Sequence, residues 1–94
     1  MGALAQLRLG VWAVWLTLAS GPVFALEINM ANEAELDSLR GMGPSMTAKV
    51  LAARELAPFL SWQDVMQRVA GLGKSKARQF SDQGLSVNGQ MFMP

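Results

Sequence analysis

From residue 26 onward the apolar positions recur at three- and four-residue steps, the period of amphipathic helix. Leu36 and Leu39 share one face. Met46, Val50, Leu51 and either Ala53 or Arg54 mark the next stripe. Trp62, Val65, Met66 and Val69 fall at i, i+3, i+4 and i+7, and Ala77 and Phe80 form the last. Punctuation residues delimit these stripes. Asn32 reads as an N-cap with Glu35 in the capping-box position. Gly41 stops that helix, and Pro44 suits the first turn of the next because its missing N–H is not needed there. The second helix is predicted to run to about Leu56 and to end before Pro58. Ser61 is the next N-cap, with Asp64 in the capping-box slot. Gly71 stops the third helix, and the fourth begins near Lys74 and ends by Gly84. Leu26 to Met30 reads as a short extended entry, and Leu85 and Val87 as residues folding back onto the core. Asn88 to Pro94 has no period and is expected to be a loose, disordered tail. No useful length alternates with period two. The expected fold is therefore all-α, four to five short helices, without strands.

Residues 1–25 have a different pattern. Arg8 precedes the apolar run Leu9 to Ala19, Ser20-Gly21-Pro22 breaks it, and Val23-Phe24-Ala25 ends in a small residue. Basic start, apolar middle and small-residue site are the layout of a secretory signal peptide, with cleavage expected after Ala25. An uncleaved membrane anchor is the other reading, since Leu9 to Leu26 is nearly long enough to span a bilayer.

One phrase occurs twice. Gly41-Met42-Gly43 returns 30 residues later as Gly71-Leu72-Gly73, each between two predicted helices and each with a serine two residues on, Ser45 and Ser75. A Gly-apolar-Gly turn opening into a helix leaves N–H groups uncovered at the helix's positive end, a surface suited to phosphate. Glycine lets such a turn take positive φ and approach a phosphate closely. Met42 and Leu72 read as pegs that anchor the turns in the core. Two copies point to a polyanion, with DNA the leading candidate.

Composition narrows the chemistry. The chain has no cysteine and no histidine, which leaves no disulfide, no thiolate nucleophile, no Ser-His dyad and no His- or Cys-ligated metal. No cofactor and no metal are expected. Glu33 and Asp37 lie i and i+4 and could be read as a carboxylate pair of a metal-dependent nuclease. Acids near a helix N-terminus are simply favourable there, no convergent catalytic set is visible, and an enzyme is not expected. After residue 25 seven cations face seven acids, but from Gln67 to Ser81 there are four cations and no acid, while acids gather from Glu27 to Asp37. That asymmetry favours an anionic partner at one end. Lys74, Lys76 and Arg78 are the principal basic candidates; Lys49, Arg40 and Arg68 are secondary.

Ile28-Asn29-x-Ala31, Glu35-Leu36-x-x-Leu39-x-Gly41-Met42-Gly43-Pro44-Ser45, then Arg54-Glu55, Pro58-Phe59, Ser61, Asp64-Val65 and Val69-x-Gly71-Leu72-Gly73 occur in an order that resembles the helix-hairpin-helix domain of ComEA-like proteins. The resemblance spans about residues 26–87. It implies a tandem helix-hairpin-helix domain, an exported or membrane-tethered location, and binding of double-stranded DNA during uptake in natural transformation, with no small-molecule substrate. The candidate DNA-binding positions are Gly41, Met42, Gly43, Ser45 and Lys49 at the first hairpin and Gly71, Leu72, Gly73, Lys74, Ser75, Lys76 and Arg78 at the second. There are two departures. Ala57 stands where the family has glycine before Pro-Phe, so the second helix must end differently. Met46 stands where a lysine often comes after Gly-Pro-Ser, which predicts a weaker grip by the first hairpin. The alternative function is a helix-hairpin-helix module that docks onto envelope machinery without binding DNA.

Overall fold

The structure, a computed structural model, describes residues 25–93; residues 1–24 of the predicted signal peptide lie outside the described residues. Four helices occur in order: α1 Glu33–Asp37, α2 Gly43–Leu56, α3 Trp62–Arg68 and α4 Lys74–Asp82. The mostly helical architecture agrees with the periodicity. Among the described residues no helix is long and apolar enough to cross a membrane.

Each predicted cap acts as its chemistry requires. The Asn32 side chain accepts from the Glu35 N–H at 2.8 Å, and the Glu35 carboxylate accepts from the Asn32 N–H at 2.9 Å, a reciprocal capping box. Ser61 accepts from the Asp64 N–H at 3.1 Å, whereas the Asp64 carboxylate reaches one residue further back, to the Leu60 N–H at 3.0 Å. Ala57 ends α2 in extended backbone (φ −167°), so no left-handed cap closes it. Arg68 covers carbonyls at this end instead, donating to Ala53 O at 2.6 Å and Ala57 O at 2.7 Å.

The helices close over one core, with Leu36, Val50, Phe59, Val65, Leu72 and Phe80 fully or almost fully buried at its centre. Thr47 is equally buried; its hydroxyl donates to the Asp37 carboxylate, tying α2 to α1. The pattern contained this residue, because Thr47 lies three positions before Val50 on the inward stripe, but its hydroxyl hid it among polar positions. The same bond gives Asp37 a structural task.

Two expectations are corrected. Strands do occur: β1 (Leu26–Glu27) and β2 (Leu85–Ser86) pair in parallel, Leu26 opposite Leu85 and Glu27 opposite Ser86. Two residues are too short for a period-two signal, and the pairing is non-local, so local patterning could not reveal it. The tail is also not loose through residue 92. The Trp62 indole N–H donates to Gln90 O at 2.9 Å, the Phe92 N–H donates to Ser81 Oγ at 2.9 Å, and the Phe92 ring meets Trp62 edge-on at 5.8 Å. Trp62 itself is core, as expected.

Glu27 pins this tail. Its carboxylate accepts from the N–H groups of Asn88 and Gly89 at 2.8 and 2.9 Å and from the Ser86 hydroxyl at 3.3 Å. Burial pushes the carboxyl upward, but the bonds from Asn88, Gly89, Asn29 and Ser86 outweigh it and hold the group below the ordinary glutamate value. A carboxylate lowered in the folded state stabilises at neutral pH and loses that contribution as pH falls through its folded value. Acidification from about pH 5 to about pH 3 is expected to release the Asn88–Gly89 turn and broaden the Trp62 indole N–H resonance. In Glu27→Gln the resonance should already be perturbed at pH 7 and insensitive to that step; a wild-type-like titration in the variant would refute the assignment.

Candidate nucleic-acid interface

The two glycine turns are exposed at their glycines and serines and closed at their centres. Gly41, Gly43, Ser45, Gly71, Gly73 and Ser75 face solvent, while Met42 and Leu72 are 2% and 1% exposed. The apolar middle residues are pegs, so their side chains offer nothing to a ligand. Matching bonds anchor them: the Met42 N–H to Leu39 O and the Leu72 N–H to Val69 O, both at 3.1 Å.

The two helices that leave these turns start differently from the other two. Side chains cap α1 and α3, but neither Met42 at the start of α2 nor Gly73 at the start of α4 makes a side-chain cap hydrogen bond. The first N–H groups of α2 and α4 thus remain available, those of Gly43 and Ser45 in one case and of Lys74, Ser75 and Lys76 in the other, with Pro44 contributing none. Helix dipoles add positive potential at the same places.

The turns are not identical in backbone. Gly41 and Gly71 both take left-handed values, φ +92° and +89°; Gly43 also does, at +66°, but Gly73 is extended at −95°. Glycine permits positive φ at all four positions, and three of them use it while Gly73 does not. A Cβ there would meet nothing within 4 Å, whereas one on Gly41 would lie 2.7 Å from Gln79 Nε2. Gly73→Ala should change stability by less than about 0.5 kcal/mol, while Gly41→Ala should cost about 1–2 kcal/mol from strain and the displaced Gln79. Urea unfolding of the two variants checks this, and equal losses would contradict it.

The hairpins cross over onto each other's turns. From α4, Lys76 Nζ donates to Gly41 O at 3.0 Å and Gln79 Nε2 to Arg40 O at 3.0 Å. From α2, Lys49 Nζ reaches Ala70 O at 3.4 Å, and the Met46 methyl lies 3.5 Å from where a Gly71 Cβ would be. Positions 76 and 79 correspond to 46 and 49 under the 30-residue repeat, so each second helix touches the other hairpin's turn with the same two positions. A single lysine side chain spans from the first turn of α4 to the Gly41 turn, so the two turns lie within one lysine's reach of each other.

The cations divide by task. Lys74 and Arg78, four residues apart on one face of α4, are exposed and make no ion pair or side-chain hydrogen bond among the described residues. Lys76 is half-buried at the first turn. Lys49 is held loosely by Ala70. Arg54 donates to Ile28 O and Ala31 O at 2.9 and 2.6 Å, and Arg68 to four oxygens besides lying 4.6 Å over the Phe59 ring; both are structural. Gln79 and Gln83 were not singled out by the sequence, although their spacing with Lys76 places all three on one helix face. Compared with protein-family models, curated proteins and solved structures, the chain matches none.

Proposed function

We propose that this chain is an exported, non-catalytic protein that binds double-stranded DNA through its phosphates, without sequence preference, in DNA uptake. In this reading the four helices are a tandem helix-hairpin-helix domain of the ComEA-like kind, delivered by a signal peptide cleaved after Ala25 and working beside uptake or envelope machinery. The observation that carries it is the contrast among helix starts: two are capped by side chains, and the two after the glycine turns have no side-chain cap and are exposed, with Lys74 and Arg78 exposed along α4. Backbone N–H groups and lysines contact phosphate rather than base edges, so affinity should not depend on sequence.

Salt titration of duplex binding by residues 26–94 tests the reading. The association constant should fall with a log-log slope of about −3 or steeper, at about −0.9 per phosphate neutralised, and unrelated duplexes should compete equally. Absence of binding at micromolar protein in low salt would defeat it. A second substitution adds resolution: Gly73→Leu, placed where the backbone has room, should preserve helicity and weaken binding severalfold by blocking the approach of phosphate to the α4 start.

The interaction-module alternative has its own observation. Leu60, Met91 and Met93 stand exposed around a groove of about 300 Å³ backed by Trp62 and Val87. The groove borders the start of α3 and the tail, and exposed apolar side chains at its rim suit a protein contact. That reading predicts no duplex binding, with loss of partner capture in Leu60→Ser.

A further inference from the structure

We infer that the first turn is completed by the second hairpin: α4 supplies both the brace that fixes the Arg40–Gly41 segment and the cation that α2 lacks, so the two turns act as one composite anion-binding surface. The inference rests on the DNA-binding reading for its ligand and on the fold alone for its brace.

Three side chains at i, i+3 and i+7 of one helix converge on two residues. Gln83 grips Arg40 from both sides, accepting from its N–H at 2.8 Å and donating to its carbonyl at 3.0 Å. Gln79 donates to the same carbonyl at 3.0 Å, and its amide packs so closely on Gly41 that a Cβ there would have to displace it. Lys76 holds the Gly41 carbonyl at 3.0 Å. With both lone-pair directions of the Arg40 carbonyl taken and its N–H engaged, the turn's left-handed glycine is fixed before any ligand arrives, which lowers the ordering cost of binding.

The second turn has no such brace. The repeat places Met46, Lys49 and Ala53 where the first turn meets Lys76, Gln79 and Gln83, and of these only Lys49 makes a hydrogen bond to the second turn, a long one at 3.4 Å. The asymmetry also resolves the missing lysine at position 46. The charge expected there comes from Lys76, whose ammonium sits at the first turn with two further N–H donors in hand. Arg40 adds to it: its backbone is clamped while its guanidinium makes no ion pair or hydrogen bond among the described residues, leaving a second cation beside the turn. Gln79 and Gln83 are thus positioning residues, and Lys76 and Arg40 are contact residues.

The test uses the full chain with Gln79→Met and Gln83→Met together, which keep side-chain volume but remove every bond to Arg40. Duplex affinity should fall about fivefold with an unchanged log-log salt slope, because no phosphate contact is deleted. Amide hydrogen exchange should speed up at Gly41 to Gly43 and stay at its wild-type rate at Gly71 to Gly73. Lys76→Met should instead flatten the slope by about 0.9. Wild-type affinity in the double variant, or exchange that rises equally at both turns, would overturn the inference. If the wild-type chain fails to bind duplex DNA, the functional reading falls, and the exchange contrast alone still decides whether the brace exists.

Discussion

Replacing Lys74, Lys76 and Arg78 together by alanine should weaken duplex binding roughly 100-fold at about 0.1 M salt and flatten the log-log salt dependence by about 2 to 3. The size comes from counterion release. Each phosphate neutralised contributes about 0.9 to the slope, worth up to about eightfold at that ionic strength, and three contacts multiply to a few hundredfold. The expectation is set below that bound because Lys76 already donates to the Gly41 carbonyl. Helix formation should survive, since Lys74 and Arg78 are exposed and make no side-chain bond among the described residues, and alanine is a good helix former. The open N–H groups remain, so residual binding should persist with a shallow slope. Fluorescence anisotropy with a labelled duplex at four or more salt concentrations measures both numbers. An unchanged slope in a folded triple variant would remove α4 from the interface.

Much of this arrangement is legible in the chain because it is local. The Asn32–Glu35 box, the stop at Gly41, the entry at Pro44 and the Trp62–Val65–Val69 stripe are written within a few residues of where they act, and the buried pegs Met42 and Leu72 are implied by an apolar residue held between glycines. The features that escaped are long-range. The β1–β2 pairing joins residues about 60 apart, the Trp62–Phe92 contact joins residues 30 apart, and the bonds from Gln79 and Gln83 to Arg40 cross from one repeat to the other. A glutamine on a polar helix face carries no local mark that distinguishes a brace from a solvated side chain. The backbone of Gly73 was not legible either. Glycine permits positive φ without demanding it, and here the absence of a side chain matters for clearance rather than for conformation.

Charge counting met the same limit, and Arg68 shows it most clearly. In the sequence it belongs to the acid-free run from Gln67 to Ser81; in the fold its guanidinium closes the C-terminus of α2. Arg68→Ala should destabilise the domain by about 2–3 kcal/mol while leaving the salt slope of DNA binding unchanged. Four acceptors lose the guanidinium: the carbonyls of Ala53, Ala57 and Pro58 and the carboxylate of Asp64, of which Ala53 keeps the Ala57 N–H and Asp64 the Leu60 N–H. Hydrogen bonds to a charged group are worth about 1.5–3 kcal/mol where solvent is excluded, but the Arg68 and Asp64 side chains are 25% and 22% exposed, so water replaces part of the loss. Stacking on Phe59 at 4.6 Å adds a further share. Ala57 makes the substitution costly. With extended backbone at the end of α2 and Pro58 behind it, no glycine-type cap can reform to take up the carbonyls. In a domain of this size each kcal/mol lowers the melting temperature by about 4–8 °C, so a fall of roughly 10–20 °C is expected. Arg68→Lys should recover little of it, because one ammonium cannot span four divergent acceptors as a planar fork does. Thermal unfolding by circular dichroism, paired with the salt titration, separates the two roles: a stable Arg68→Ala protein with a flattened slope would make this arginine a DNA contact and leave the end of α2 without its explanation.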